Sequence, residues 1–319
     1  MLKLLIVKTS SLGDIVHNLP IIADIRAHYP DIKIDWLVEA SFADIPKLHP
    51  AVNHVIPMSF RRWRKSLFSK QTWQEISTLR QQLLAQHYDV VLDTQSLVKS
   101  AFLTLFTHGN KHGFDRSSAR EPLASIFYDI KHAVSRSQQA VALNRALAAK
   151  AFAYKIPDTL PDYGIQPITP LDLVLPKAYV VALHGTSRDS KLWPIEHWVE
   201  LGQLLAEQQL QLVIPWVSEA ELARAEQIAA ELNHATILPK LSITELATLI
   251  SNAQVAIGVD TGLSHLAAAL SIPTIAIYTD TDPKLTGVTA GAHAPAINIG
   301  GINQIPTAIQ VFQAFLSLR

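Results

Sequence analysis

The chain alternates short apolar runs with longer stretches in which apolar residues recur every three or four positions. Residues 2–7, 34–38, 52–56 and 90–93 are too short for helices and rich in Val, Ile and Leu. They predict buried parallel strands. Segments 16–29, 41–48, 71–87 and 137–153 between and after them carry helical spacing. In the first, Ile22, Ile25 and Tyr29 fall on one face. Residues 154–176 break the alternation with Pro157, Pro161, Pro167, Pro170 and Pro176, as a linker would. The pattern then restarts. Residues 179–183, 212–215, 253–259 and 274–278 predict strands, and Pro194 opens a helix reaching Gln209. Ser218 with Glu221, and Ser242 with Glu245, have the spacing of capped helix starts. Residues 306–318 predict an amphipathic helix.

This pattern predicts an α/β protein of two Rossmann-like domains, each a parallel sheet covered by helices. The expected divisions are residues 1–160, residues 177–303 and a C-terminal helix within 304–319. Sequence leaves open whether that helix stays with the second domain or returns to the first. Two such domains face to face would place strand ends from each along one cleft.

Composition narrows the chemistry. The chain has 319 residues, 49% of them apolar, which suits two cores better than one. It has no Cys, so disulfides and thiolate chemistry are excluded, and a zinc site would need His and carboxylates alone. No uncharged apolar stretch reaches 18 residues, so no membrane-spanning segment is expected. The apolar run between Lys3 and Lys8 is too short for a secretory leader. Net charge is zero, but residues 1–160 hold 20 Lys/Arg against 13 Asp/Glu, and the remainder reverses the excess. The first half therefore favours an anionic partner: nucleic acid, an anionic lipid surface or a phosphorylated sugar. Overall neutrality argues against a general nucleic-acid binder.

Polar clusters sit where strands end. Asp260-Thr261-Gly262-Leu263-Ser264-His265 lies between a strand and a helix start. Open α/β sheets bind ligands at such an edge. The N–H groups of Thr261, Gly262 and Leu263 suit an anion, and Asp260 or Thr261 equally suits a plain helix cap. Near the N-terminus, Lys8-Thr9-Ser10-Ser11-Leu12-Gly13-Asp14 is neither a Walker loop nor GxGxxG. It offers the carboxylate of Asp14, as base, as cap or as both. In the stretch from His184 to Pro194, Thr186, Ser187 and Lys191 suit a diphosphate. Glu221 fits either a helix cap or a ribose contact. Asp280 and Asp282 fit an Asx-turn better than a Mg²⁺ site. Arg61, Arg62, Arg64 and Lys65 cluster beside Trp63, Leu67 and Phe68. Aromatics among cations suit a membrane interface or lipid headgroup, with nucleic-acid stacking as the rival. Arg120 adds a phosphate contact or pairs with Glu121, and Lys99 and Arg116 are weaker candidates.

These same segments, in this order along essentially the whole chain, resemble the ADP-heptose:lipopolysaccharide heptosyltransferases. The resemblance implies a GT-B fold. It implies inverting transfer of L-glycero-D-manno-heptose from ADP-heptose to the inner Kdo of Kdo₂-lipid A, at the cytoplasmic face of the Gram-negative inner membrane. It implies Asp14 as general base and Thr186, Ser187 and Lys191 at the donor phosphates. Glu221 would contact the ribose, and Asp260, Thr261, Gly262, Leu263 and His265 the rest of the donor. Ser10, Gly13, Arg61, Arg62, Arg64, Lys65 and Arg120 fall on the acceptor side. Two loops depart from the family pattern: Pro215-Trp216-Val217, and Thr279 to Pro283. Lys191 and the N–H groups near Thr261 would stabilise charge on departing ADP, so no metal or other cofactor is expected. A related transferase acting on a heptosylated core is the neighbouring reading. A non-catalytic module for anionic lipid is the reading outside the enzyme class.

Overall fold

The computed structural model describes residues 1–318 and divides the chain into two units, Met1–Asp158 and the residues from Thr159 onward. The first unit holds six strands: β1 (Lys3–Val7), β2 (Lys33–Glu39), β3 (Val52–Met58), β4 (His87–Asp93), β5 (His108–Phe114) and β6 (Ile130–His132). All pair in parallel, in the order β3-β2-β1-β4-β5-β6. The second unit repeats the design with β7 (Tyr179–Leu183), β8 (Gln211–Ile214), β9 (Ala235–Ile237), β10 (Val255–Val259), β11 (Thr274–Tyr278) and β12 (Ala296–Gly300). Its order, β12-β11-β10-β7-β8-β9, is the same winding read from the other side. Each sheet reverses direction once, between β1 and β4 and between β7 and β10. The register brings those strand ends level: Val7 faces Asp93, and Leu183 faces Gly258. Such a reversal opens a crevice for ligands at the carboxyl ends of the two strands.

The sheets form because their central strands are buried on both faces. Residues 4–7, 180–182 and 275–278 are entirely without exposure, as expected where helices cover a parallel sheet. Strands β5, β6, β9 and β12 are not foreseen by the apolar pattern. Strand β5 reads HGNKHGF, and β6 and β9 have three residues each. Their pairing comes from neighbours already in place rather than from their own composition. The expected helix over 16–29 is two helices, Leu12–Val16 and Pro20–His28. Pro20 sits at the first position of the second, where its missing N–H costs nothing. The expected helix over 41–48 is a 3₁₀ turn followed by one α turn.

Two contacts fix the helices that matter to the sites. In the first unit Arg145 grips Asp24 through Nε (2.6 Å) and Nη2 (3.0 Å), tying helix Ala140–Phe152 to Pro20–His28. In the second, the C-terminal helix Ala308–Ser317 buries Ala308, Val311 and Phe315 in the core that also contains Trp193 and Trp198. Trp193 Nε1 donates to the Pro306 carbonyl at 2.8 Å. The helix therefore completes the core of the second unit. Full burial of one such aromatic side chain stabilises by about 1.5–3 kcal/mol.

Candidate active site

In the first unit, the loops after β1 and β4 hold each other. Asp93, at the end of β4, accepts from the N–H groups of Gln95 (2.8 Å) and Ser96 (3.1 Å), from Ser100 Oγ (2.9 Å) and from Tyr128 Oη (2.9 Å). Burial pushes the Asp93 carboxyl up from the usual range, and these four bonds oppose that shift. Tyr128 reaches Asp93 across Gly113, where a Cβ would stand 2.3 Å from its ring. The organised loop then presents Gln95, whose Oε1 accepts the N–H groups of Thr9 (2.9 Å) and Ser10 (3.1 Å). Lys8, itself buried, donates to the Thr94 carbonyl at 3.0 Å. Burial lowers the Lys8 ammonium, Asp14 and Asp93 counteract this, and Arg120 adds to it. The four groups thus share one electrostatic neighbourhood.

Asp14 occupies the third position of helix Leu12–Val16. Its Oδ2 accepts from Ser11 N (2.8 Å) and Ser11 Oγ (3.1 Å). Asp14 is thus a cap, and both of these bonds fall on Oδ2. Arg120 N donates to Ser96 Oγ at 3.0 Å and Glu121 Oε2 accepts from Val98 N at 2.6 Å. Glu121 is engaged by backbone, and no Arg120–Glu121 ion pair forms among the described residues.

The basic cluster is divided by the fold. Trp63 is buried in the first unit's core and donates to Glu75 Oε2 at 2.7 Å. Arg62 meets the same oxygen at 2.5 Å. Trp63 and Arg62 together hold the Glu75 carboxyl below its usual range. Trp63 is therefore not the surface aromatic that its setting among cations suggests: the short turn Phe60–Trp63 points it inward. Arg61 differs from Arg62. Its guanidinium lies 4.9 Å over Phe42 and its N–H meets Glu39 Oε1 at 3.1 Å. Lys99 stands 5.4 Å over Phe60. Burial lowers the Lys99 ammonium, with Arg61 and Arg64 reinforcing and Glu39 opposing. Arg61, Arg64 and Lys99 thus form one group, and Lys65 is exposed beside them.

In the second unit, Asp260 is the centre. Its Oδ2 meets Lys191 Nζ at 2.6 Å and accepts from Thr281 Oγ1 at 2.5 Å, and its carbonyl accepts from Thr186 Oγ1 at 2.9 Å. Loops after β7, β10 and β11 are thereby fastened at one point. Lys191 carries three donors, so its ion pair leaves N–H groups for a ligand. Thr261 caps helix Gly262–Ala269 by backbone alone. Helix geometry leaves the first N–H groups, at Gly262 and Leu263, without intrahelical partners. That helix packs closely because Gly258 has no side chain: a Cβ there would meet Ser264 Oγ at 2.4 Å and Leu183 Cβ at 2.8 Å. His265 is buried on the same helix, and Ser187 is exposed beside Thr186.

Glu221 is a helix-start cap that also borders the loop after β7. Ser218 Oγ caps its N–H at 3.3 Å, and its Oε2 accepts from Val217 N at 2.7 Å. The same carboxyl lies against Gly185, where a Cβ would be 2.5 Å from Glu221 Cδ. It therefore borders the loop that carries Thr186. Asp282 caps the turn after it through Lys284 N (2.9 Å), and Asp280 accepts from Ser190 Oγ (2.6 Å). Among the described residues, no three His, Cys, Asp or Glu side chains converge to hold a metal ion.

Sequence reasoning passed over several members of these sites. Gln95 and Asp93 organise the first loop from a distant part of the chain, and Thr281, within the Asp280–Asp282 turn, reaches Asp260. His184, fully buried at the start of the second loop, is held down to about 4 by burial and by the Arg224 guanidinium. Arg224 in turn donates to the Trp193 carbonyl. A polar residue at a strand end is the signal that could have found Lys8, Gln95 and His184.

Comparison with known proteins agrees with this fold. The signature of glycosyltransferase family 9 (heptosyltransferase) matches residues 76–308. Lipopolysaccharide heptosyltransferase 1 of Escherichia coli K12 is 46% identical over 288 residues, 90% of each chain. A solved structure of the E. coli heptosyltransferase WaaC with ADP superposes with a TM-score of 0.93 at 44% identity, covering 100% of both chains. A second, with ADP-2-deoxy-2-fluoro heptose, gives 0.89 at 43% identity over 99% of each. Two Rossmann-like units wound alike are the GT-B fold expected from sequence, and a non-catalytic lipid-binding module is set aside. With residues 76–308 matched by the family signature and 46% identity to such a relative over 90% of the chain, this chain belongs to glycosyltransferase family 9, the heptosyltransferases.

Proposed function

We propose that the protein transfers L-glycero-D-manno-heptose from ADP-heptose to the inner Kdo of Kdo₂-lipid A, with inversion at the anomeric carbon. The observation that carries this reading is the convergence of Thr186, Lys191 and Thr281 on Asp260 at the second unit's switch point. It is supported by the E. coli relative, whose solved structures hold ADP and a fluorinated ADP-heptose. Lys191, Thr186 and Ser187 bind the diphosphate, together with the N–H groups of Thr261, Gly262 and Leu263. Glu221 takes the ribose hydroxyls, and Asp260 and His265 border the sugar.

Asp14 Oδ1 takes the proton of the attacking Kdo hydroxyl. Ser11 fixes the carboxylate's direction through Oδ2, which makes its aim reproducible. As the bond to ADP breaks, negative charge grows on the diphosphate, and Lys191 with the helix-start N–H groups stabilises it. Ser10, Gly13 and Arg120 border the acceptor near Asp14. Arg61, Arg64 and Lys65 receive its anionic groups, and Arg62, committed to Glu75, chiefly holds the turn in place. The acceptor is a lipid, so the protein works at the cytoplasmic face of the inner membrane, bound peripherally to an anionic surface. Among the described residues no helix is long and apolar enough to cross a membrane.

The decisive experiment is mass spectrometry of the product formed from ADP-heptose with Kdo₂-lipid A, beside an already heptosylated acceptor. A single added heptose on Kdo₂-lipid A is the expected result. Preference for the heptosylated acceptor would replace this assignment with the sister activity further along the core.

A further inference from the structure

The exposed aromatic side chains are unevenly distributed. Among the described residues, the exposed Phe and Trp side chains are Phe68, Trp73 and Phe102, and all belong to the first unit. That unit also holds the excess of Lys and Arg. Phe68 is fully exposed, with Leu67 beside it half in solvent. The loop that carries them is fastened. Trp73 Nε1 donates to the Leu67 carbonyl at 2.7 Å, Ser66 Oγ meets Thr72 Oγ1 at 3.1 Å, and Ser69 N donates to the Ser66 carbonyl at 3.0 Å. Leu67 and Phe68 are therefore held outward at a defined place, and no protein core is offered to them.

A second apolar patch lies on the same unit. Helix Val98–Leu103 runs into a 3₁₀ turn, Thr104–Phe106, and packs on another, Pro122–Phe127. Phe102 and Leu105, and likewise Leu123 and Ile126, are three residues apart and share a face. All four are exposed. Phe102 sets its ring edge-on to Phe106 (5.4 Å) and Phe127 (6.2 Å). Helix Lys70–Leu84 joins the two patches. Trp73 and Arg80 lie seven residues apart on nearly one side of it, and Arg80 stands 5.8 Å over Phe106.

Cations accompany this strip throughout: Arg64, Lys65 and Lys70 beside the loop, Arg80 between the patches, and Lys99 next to Phe102 in the helix. Glu75, the acid nearest the loop, is already occupied by Arg62 and Trp63. Aromatic and aliphatic side chains standing out among Lys and Arg fit the boundary between headgroups and acyl chains. A second copy of the chain would set like charges against one another.

We propose that Leu67, Phe68, Trp73 and the Phe102 patch form a docking face that inserts into an anionic bilayer. The inference rests on the reading that the acceptor is a membrane lipid, and adds to it an apolar anchor distinct from the residues that meet the acceptor itself. The cations draw the unit to the surface, and each contributes less as salt rises. The apolar side chains supply the part that salt does not screen.

The test is flotation of the full-length protein with vesicles of phosphatidylcholine, alone or mixed with phosphatidylglycerol. The variants are Leu67→Ser/Phe68→Ser and Phe102→Ser/Ile126→Ser, with unchanged melting temperatures as the check on folding. Wild type should bind the anionic vesicles, and brominated acyl chains should quench part of its Trp fluorescence. Leu67→Ser/Phe68→Ser should bind on the order of tenfold more weakly. Transfer of heptose to a deacylated, water-soluble acceptor should be unchanged in both variants, while transfer to vesicle-embedded acceptor falls. Wild-type vesicle affinity in both variants would overturn the proposal. So would a dimer that both variants dissociate while vesicle binding persists, since the face would then join two copies. Vesicle binding that depends on Phe68 in a protein inactive toward Kdo₂-lipid A would uphold the docking face and overturn only the acceptor assignment.

Discussion

The two switch points are built on one winding and hold their key carboxylates with different partners. In the first unit, Asp14 is turned by backbone and a serine hydroxyl, both on one oxygen. Its nearby cation, Lys8, makes no direct ion pair with it and donates instead to the Thr94 carbonyl. In the second, Asp260 is bound directly by Lys191 and by Thr281. Both carboxylates are engaged through Oδ2 alone, but Asp14, the proposed base, is met only by neutral donors, whereas Asp260, which fastens three loops, is met by an ammonium. The common sheet topology says nothing of this difference, which lies wholly in loop residues.

The sharpest way to break the comparison is to remove, in turn, Asp14 and the lysine paired with Asp260. Asp14→Ala should reduce kcat by about 10²–10⁴-fold, the usual cost of losing a general base. ADP affinity, measured by calorimetry, should hardly change. Near-normal turnover of folded Asp14→Ala protein would leave Asp14 as a cap alone. Lys191→Ala should weaken ADP binding and slow transfer together, by about ten- to a hundredfold, since hydrogen bonds to charged groups contribute about 1.5–3 kcal/mol. A loss confined to kcat would mean that Lys191 meets the diphosphate only as charge develops.

The basic cluster offers a finer contrast. Replacing Arg61 and Arg64 by Ala should raise the acceptor KM on the order of tenfold at low salt, an effect that shrinks as salt screens it. Arg62→Ala should leave KM nearly alone and lower stability slightly, because Arg62 is spent on Glu75. Equal KM effects from Arg61→Ala and Arg62→Ala, each made singly, would erase the distinction.

The smallest effect concerns pH. His184 is held down to about 4 in the folded second unit, against about 6.5 in an unfolded chain. Between these values the unfolded state binds the extra proton, so stability is full above about pH 6.5 and falls as pH drops toward 4. The loss is at most about 3 kcal/mol. Hydrogen exchange of the β7 and β10 amides across this range measures it, and a flat profile would mean that His184 takes up its proton without unfolding.

How far the sequence could be read follows from where each structure gets its stability. Strands β1, β7, β10 and β11 are self-evident because they are apolar on both faces. Strands β5 and β6 are not, since their Lys, His and Asn residues belong to a sheet flank and depend on neighbours for their conformation. At the sites, Asp14, Lys191 and Asp260 stand out as charged residues in the segments that follow strands. The partners that aim them do not: Gln95, Thr281 and Tyr128 act from distant parts of the chain, and only the register of the sheets brings them near. The division of Arg61 from Arg62 was also out of reach, because one turn of helix decides which faces Glu75.

The bond from Trp193 to the Pro306 carbonyl bears on how such enzymes can be recombined. Trp193 stands two residues beyond Lys191, and the segment it anchors is the chain's last helix. A chimaera that grafts this second unit onto a foreign first unit must therefore carry the chain through Phe315. A graft ending at β12 would include Thr186, Lys191 and Asp260 yet leave the Lys191 loop without its floor. The natural unit of exchange is longer than the binding motifs suggest.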